Sequence, residues 1–311
     1  MVDDENIKTT VSPFAIREGE IKTFDGKDGY VSINQIIHKI NLGHISDIHF
    51  EILDLVNEYE FITSRQIYQL LKHKGVEIKS QDKLNTRLDQ LVKMKIITRY
   101  YFTSEEGKGI YRIYCLEKMG KYLLNSKEVE CKWQPTDNTK PVSLIKKRLA
   151  GNQAILAYMR KAKNFSSYKI KPTINAKMAG KQFKAHGDVT LKVKDREISL
   201  VFECVRRDTD WENKFLERIK LYKDFYENFV PFDSGYMMAP QLILVCEDDK
   251  HTVETYKVIV SNKVDTSKFK VYFTTDLKQN AVSLEKSLME FSKDEESGKY
   301  KANNVEIKLL G

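Results

Sequence analysis

The sequence predicts a mixed α/β chain in two domains, and three stretches carry that prediction. Between His44 and Asn125, helical periodicity recurs three times and gives way to two alternating strands and a closing helix. Between Ala185 and Arg207, period-two alternation runs on both sides of a short polar turn. A long amphipathic helix and a short apolar strand follow it. Between these stretches lies NSKEVECKWQPTDNTKP, residues 125–141, which is polar, holds two prolines and lacks periodicity, as a linker does. The expected divisions are an extension over 1–43, a first domain over 44–125, a linker over 126–141 and a second domain over 142–311.

Composition narrows the class. A chain of 311 residues with 41% apolar content can bury cores of ordinary size. No apolar run reaches the roughly 18 residues of a membrane span. The first ten residues, MVDDENIKTT, are polar and acidic, unlike a secretory signal. Cys115, Cys131, Cys204 and Cys246 are scattered without a CxxC pair. That usage suits reduced thiols in a cytoplasmic protein better than a zinc site. The net charge of +8 is unevenly spread. Residues 138–187 carry twelve Lys or Arg and no acid, which leaves −4 for the remainder. A field of one sign favours a polyanion.

In the extension, Phe14 to Phe24 and Tyr30 onward suggest a hairpin around DGKDG, and Ile33 to Leu42 a short amphipathic piece. Ile48, Ile52, Leu53, Leu55 and Val56 then mark a first helix. Thr63 or Ser64 caps a second, through Ile67, Leu70 and Leu71 to Gly75. Ser80 caps a third, with Leu84, Leu88, Leu91 and Met94 at helical spacing. Ile96–Thr103 and Ile110–Leu116 read as strands joined by SEEGKG, and a helix over 117–124 closes the unit.

This order, with FITSRQIYQLL followed by LNTRLDQLVKMKIITRYYF, resembles a winged helix-turn-helix. The resemblance implies that the third helix enters the DNA major groove. Lys79, Gln81, Lys83, Asn85, Thr86, Arg87 and Gln90 are its candidate contacts. Arg, Asn and Gln suit base edges, and Lys suits phosphates. Between Lys72 and Arg99, eight basic residues face three acids, a net +5. Arg99, Lys108 and Arg112 would set the wing on the backbone.

The second domain opens with a basic helix, Val142 to Lys163. A strand follows at Tyr168–Ile170, then an irregular basic loop, Lys171 to His186. After the hairpin, Asp208 or Thr209 caps a long helix. Its stripe of Trp211, Phe215, Ile219, Tyr222, Phe225 and Tyr226 is a core face, and Lys214, Arg218, Lys220 and Lys223 stay more exposed. Gln241–Cys246 is a buried strand, Lys250–Asn262 a helix and Phe269–Thr274 a strand. Leu277–Phe291 reads as helical and Val305–Leu310 as a last strand.

In the hairpin, taking Asp195 and Arg196 as the loop pairs Val193 with Ile198, Leu191 with Leu200 and Val189 with Phe202. One face is then apolar, and Asp188 sits opposite Glu203, with Cβ atoms about 5 Å apart. Carboxylates that close repel unless a cation lies between them, and a hard divalent metal is one candidate. The structural alternative is an ion pair from Glu203 to Lys192, Arg206 or a helix lysine.

The element order of this domain is similar to the restriction-endonuclease-like, or PD-(D/E)XK, fold, an α/β/α architecture. That resemblance implies Gly187-Asp188 as the first motif and Glu203-Cys204-Val205 as the second, with the acids holding Mg²⁺ and a lysine stabilising the phosphate or activating water. Val205 stands where the lysine belongs and can do neither job. Lys214 is the nearest substitute, with Lys220 further along; Arg206 and Arg207 stay protonated and are poor bases. A winged helix preceding such a domain, with Glu203-x-x-Arg206-x-Asp208-Thr209 leading into a helix that carries Lys220-Leu221-Tyr222, resembles the replication-relaxation family of plasmids and integrative conjugative elements.

The implied function is a cytoplasmic accessory factor of plasmid replication or conjugative transfer. It would bind double-stranded DNA beside a relaxase or replication initiator, with a homodimer as one arrangement and no membrane contact. Lys177, Lys181 and Lys184 would add phosphate contacts. No cofactor is expected, other than Mg²⁺ if the acids are active. The rival readings are a metal-dependent endonuclease using Asp188, Glu203 and Lys214, and a winged-helix transcription regulator.

Overall fold

Polar residues that start helices frame the first half of the chain. In the computed structural model, which describes residues 12–104, 107–293 and 300–307, Thr63 accepts the Gln66 amide and Gln66 returns a bond to the Thr63 amide. This reciprocal cap starts α3 (Ser64–His73). Ser80 accepts the Lys83 amide and starts α4 (Gln81–Lys93). Gly75, at φ +74°, ends the turn after α3, a conformation that costs glycine little. Before them come β1 (Ile21–Phe24), α1 (Ile33–Asn41), α2 (Asp47–Tyr59) and β2 (Ile62–Thr63). After them come β3 (Ile97–Ser104), β4 (Gly107–Leu116) and α5 (Lys118–Ser126).

Two compact units result. Residues 17–149 form one, and residues from 150 onward, with the described residues before 17, form the other. In the first unit the sheet runs β1-β3-β4-β2, all antiparallel. The hairpin expected within the N-terminal extension is not formed. Ile21 to Phe24 pair instead with Thr103 to Tyr100 of β3, because β3 offers a full-length edge that a local turn does not. Leu53, Leu55, Ile67, Leu70, Leu84, Leu88 and Ile113 are buried in its core. His49 ties α2 to α4 through Gln90, 3.0 Å away. The 125–141 stretch contains a short 3₁₀ turn, Pro135–Thr139, where Trp133 Nε1 donates to Asn138 Oδ1 at 3.1 Å.

The second unit is built on α6 (Val142–Lys161), whose residues from Ala150 on belong to it, β5 (Phe165–Lys169), β6 (Thr173–Ala176), β7 (Lys181–Lys184), β8 (Gly187–Val193) and β9 (Arg196–Cys204). Then come α7 (Trp211–Glu227), β10 (Gln241–Cys246), α8 (Asp249–Ser261), β11 (Val271–Thr275), α9 (Asp276–Ala281), β12 (Leu288–Lys293) and β13 (Tyr300–Val305). Seven strands form one sheet, β13-β12-β11-β10-β9-β8-β5, in which β9, β10 and β11 are parallel. The α6 helix covers one face, where Tyr158 meets Phe202 with ring centroids 5.2 Å apart. Helices α7 and α8 cover the other, through Phe215, Ile219, Tyr222, Val258 and Ile259 packed on Val201, Leu242, Leu244 and Phe273. Each such side chain removed from water contributes about 1.5–3 kcal/mol.

Four expectations for this unit need correction. The basic stretch 171–186 is a hairpin, β6 paired with β7, rather than an irregular loop. Ile174, Ala176, Phe183 and Ala185 turn inward while polar neighbours turn out, a two-residue period hidden by lysines. Residues 288–291 form a strand, not a helix, because pairing with both β11 and β13 outweighs local propensity. The N-cap of α7 is Asp210, at φ +59°, rather than Asp208 or Thr209. The last strand ends at Val305; residues 308–310 of the expected strand lie outside the described residues. No helix among the described residues is long and apolar enough to cross a membrane.

Candidate functional site

Parallel β9, β10 and β11 bring their carboxyl ends to one edge of the sheet, and antiparallel β8 begins at that same edge. The topology therefore gathers residues 186–188, 203–207, 246–248 and 275–276. In sheets of this kind, ligands bind in the crevice beyond the carboxyl ends.

The register of the central hairpin differs from expectation by two residues. The turn is Lys194-Asp195, with Lys194 at φ +53°, and Val193 pairs with Arg196. Leu191 pairs with Ile198, Val189 with Leu200, and Asp188 with Val201. An even shift preserves which side chains share a face, so the apolar face survives. The acids are no longer directly opposed. They share a face one diagonal step apart, roughly 7–8 Å.

Their surroundings separate them chemically. Glu203 is buried, and its Oε2 accepts from Tyr222 Oη at 2.9 Å and pairs with Arg218 Nε at 3.0 Å. Burial is the largest single influence and raises the carboxyl pKa, but the Arg218 guanidinium, joined by His186 and Tyr222, together outweighs it. Glu203 is held at about 2. His186 Nδ1 already accepts the Cys204 amide at 3.1 Å. Its approach to Glu203 Oε1 at 3.4 Å therefore sets two acceptors side by side in the neutral ring, and Arg218 is the decisive partner. Arg218 also donates to Lys184 O and lies over the Phe183 ring, 4.5 Å from its centroid.

Asp188 is the opposite case. Its Oδ2 accepts from Tyr236 Oη at 2.7 Å, while Oδ1 is buried without a hydrogen-bond partner. Burial raises its pKa, and Tyr236 and Lys169 only partly counter that.

The arrangement does not fit Mg²⁺. The place a cation would take beside Glu203 is filled by a guanidinium, and Asp188 is pushed toward its neutral form. Among the described residues no group of three His, Cys, Asp or Glu could hold a metal. A carboxylate held near pKa 2 is also a poor base at neutral pH. Lys214 does not join the acids. Its ammonium donates back to Asp208 Oδ1 at 3.3 Å and to Thr209 O. Lys220 pairs with Glu217 on the exposed side of α7. Val205 is buried in the apolar core.

Sequence reasoning missed Arg218, expected on the more exposed side of α7. The available signal was spacing: Arg218 and Tyr222 are four apart and share a helix face. Arg206, offered from the sequence as a partner for Glu203, pairs elsewhere. Fully buried, it grips Asp276 with Nη2 at 2.7 and 3.0 Å and donates to Val245 O at 3.1 Å. Ser12 donates to the same Asp276. Arg207 pairs with Glu247, Asp248 and Glu254.

The expected DNA contacts divide in two. Lys79, just before the α4 cap, and Lys83 on α4 are exposed and Arg87 is half-buried, and none of the three side chains makes a hydrogen bond or ion pair among the described residues. Four others are engaged locally. Gln81 donates to Asn85 at 3.3 Å, Thr86 to Asp82 O at 3.0 Å, and Gln90 meets His49. Arg99 is committed to Asp25 and Asp89, and Asp25 also takes Arg112 at 2.8 Å. The Lys108 side chain lies outside the described residues. Lys177 pairs with Asp233 at 2.8 Å, while Lys181 and Lys184 are exposed. The +12 segment is partly spent internally: buried Lys146 pairs with Glu20, and Arg148 with Glu60 at 3.5 Å.

No family model matches the chain, and no curated protein does. Among solved structures it is similar to restriction endonuclease FokI, at 9% identity and a TM-score of 0.30. The match covers 76% of this chain and 45% of that one, so the chain spans less than half the length of the endonuclease. What the elements themselves define is a mixed α/β protein with one large sheet.

Proposed function

We propose that the chain is a DNA-binding accessory protein, with a winged helix-turn-helix in residues 44–125 and a nuclease-like α/β/α domain from residue 142 that does not cleave. The observation that carries the reading is α4. It is capped, fixed from behind by Leu84, Leu88 and Leu91, and flanked by the β3–β4 hairpin; its Lys83 and Arg87, with Lys79 just before the cap, have side chains without a hydrogen bond or ion pair among the described residues. Those are the side chains a groove-seated helix needs. Arg218 in the cation's place supports the non-cleaving half. The setting implied by the family resemblance is a plasmid replication or transfer origin, beside a relaxase or replication initiator, with a homodimer spanning paired half-sites.

The test is fluorescence anisotropy with selected and random duplexes across a salt series. Arg87→Ala is expected to cost about 1–3 kcal/mol on the selected site and little on random DNA. Lys83→Ala should weaken both alike. Equal losses for Arg87→Ala on every sequence, or no binding at low salt, would overturn the reading. Nicking of supercoiled plasmid in Mn²⁺, lost in Asp188→Ala, would overturn the non-cleaving half.

A further inference from the structure

The segment between α7 and β10, FVPFDSGYMMAP over residues 229–240, is held at several points yet presents apolar side chains to water. Phe232 at φ +69° and Gly235 at φ +73° make a tight turn, closed by the Phe232 amide donating to Tyr236 O at 2.6 Å. Buried Tyr236 fastens it to Asp188. The β6–β7 hairpin fastens it from the other side. There the Asn175 amide donates to Ser234 Oγ at 3.4 Å, Asn175 Nδ2 to Asp233 O at 3.3 Å, and Lys177 pairs with Asp233.

A backbone so fixed would be expected to bury its large residues. Instead Phe232 is 69% exposed, Met237 61%, Met238 56%, and Met178 at the hairpin tip 81%. Lys169 reaches Gly235 O at 3.4 Å and Lys177 pairs with Asp233, while Lys181 and Lys184 stand on β7 of the hairpin that fastens the segment; all four are exposed. Across residues 169–184 and 229–240, five lysines face one acid, Asp233.

We propose that this tip is a second DNA contact, at which Phe232, Met237 and Met238 wedge into a base step from the minor groove while Lys181 and Lys184 hold the flanking phosphates. The inference rests on the DNA-binding reading above and adds deformation of the duplex to it. The lysines match a polyanion, and apolar side chains of this kind unstack a step and kink the helix. A lipid surface would call for a longer amphipathic face. A single-strand platform would call for a row of exposed aromatics, where this segment exposes Phe232 while Tyr236 is buried and Phe229 half-buried.

The test uses the full chain and a duplex of about 30 base pairs, long enough for two to three helical turns, with dyes at its ends. The wild type is expected to shorten the end-to-end distance and to bind a duplex with a central mismatch about tenfold tighter, because a mismatched step costs less to open. Phe232→Ser/Met237→Ser/Met238→Ser removes solvent-facing atoms and should keep its melting temperature. It should lose the bend and the mismatch preference. Lys181→Gln/Lys184→Gln should weaken all duplexes and reduce the salt slope by about 2. A wild type that binds without bending, or a triple variant that bends fully, overturns the wedge alone. So does a wild type that prefers single strands, or anionic vesicles, through Phe232. Absence of all DNA binding overturns the proposed function as well.

Discussion

Removing Arg218 tests the central electrostatic claim. Glu203 falls from its ordinary 4.5 to about 2 in the fold. At ~1.4 kcal/mol for each tenfold, the protein environment favours the charged form by about 3 kcal/mol. Arg218 is the largest single source of that favour, so Arg218→Ala leaves a buried carboxylate without its cation. The expected loss is about 3 kcal/mol, within the range for breaking a buried pair. The sign with pH follows from the lowered value. The contribution is complete above about 4.5 and is lost as pH falls toward 2. Arg218→Ala should therefore be most harmful near neutrality, and its deficit should shrink in acid. Urea unfolding read by Trp211, which begins α7, reports this unit when Trp133 is replaced by Phe. Arg218→Met/Glu203→Leu should recover most of the loss, since an apolar pair of similar volume replaces two buried charges at little cost. A loss below about 1 kcal/mol for Arg218→Ala, or a deficit constant from pH 7 to 3, would refute the argument.

Asp188→Asn should act in the opposite sense. Burial raises the Asp188 pKa, so this carboxyl contributes most below its ordinary 3.8 and progressively less as pH climbs through the raised value. The amide should thus raise the neutral-pH urea midpoint, and a lowered midpoint would contradict the assignment. Asp276→Ala strips the carboxylate from fully buried Arg206, with an expected cost of about 3–5 kcal/mol in the same titration. Gly151→Ala places a Cβ 2.8 Å from His186 O, backbone against backbone. Calorimetry should show a loss of about 1–3 kcal/mol. An unchanged melting temperature would mean that α6 slides freely on the sheet.

Where local chemistry decided the outcome, the sequence was legible. Thr63 and Ser80 begin helices where capping preference places them, and Val189, Leu191 and Leu200 share a face as their alternation requires. Distant partners were illegible. The hairpin register turned on whether the turn used Lys194-Asp195 or Asp195-Arg196, and both preserve the alternation. That two-residue ambiguity moved Asp188 from Glu203 to Val201. Arg218 looked like one more solvated charge on α7 because its reason for burial, Glu203, lies fifteen residues upstream on a different element. Lys146 and Arg148 inflated the basic stretch because their acids, Glu20 and Glu60, are remote in sequence. Residues 288–291 carried no strand signal that survived without β11 and β13 beside them.

Ser12 and Ile16 reach Asp276 and Glu247 of the second unit, and Phe14 is buried there. They complete a structure whose receiving carboxylates are synthesised more than two hundred positions later. Translation at ~5–20 residues per second imposes a delay of on the order of ten seconds or more before that closure can happen. A fragment beginning at residue 150 would carry the whole large sheet and still lack its final strap.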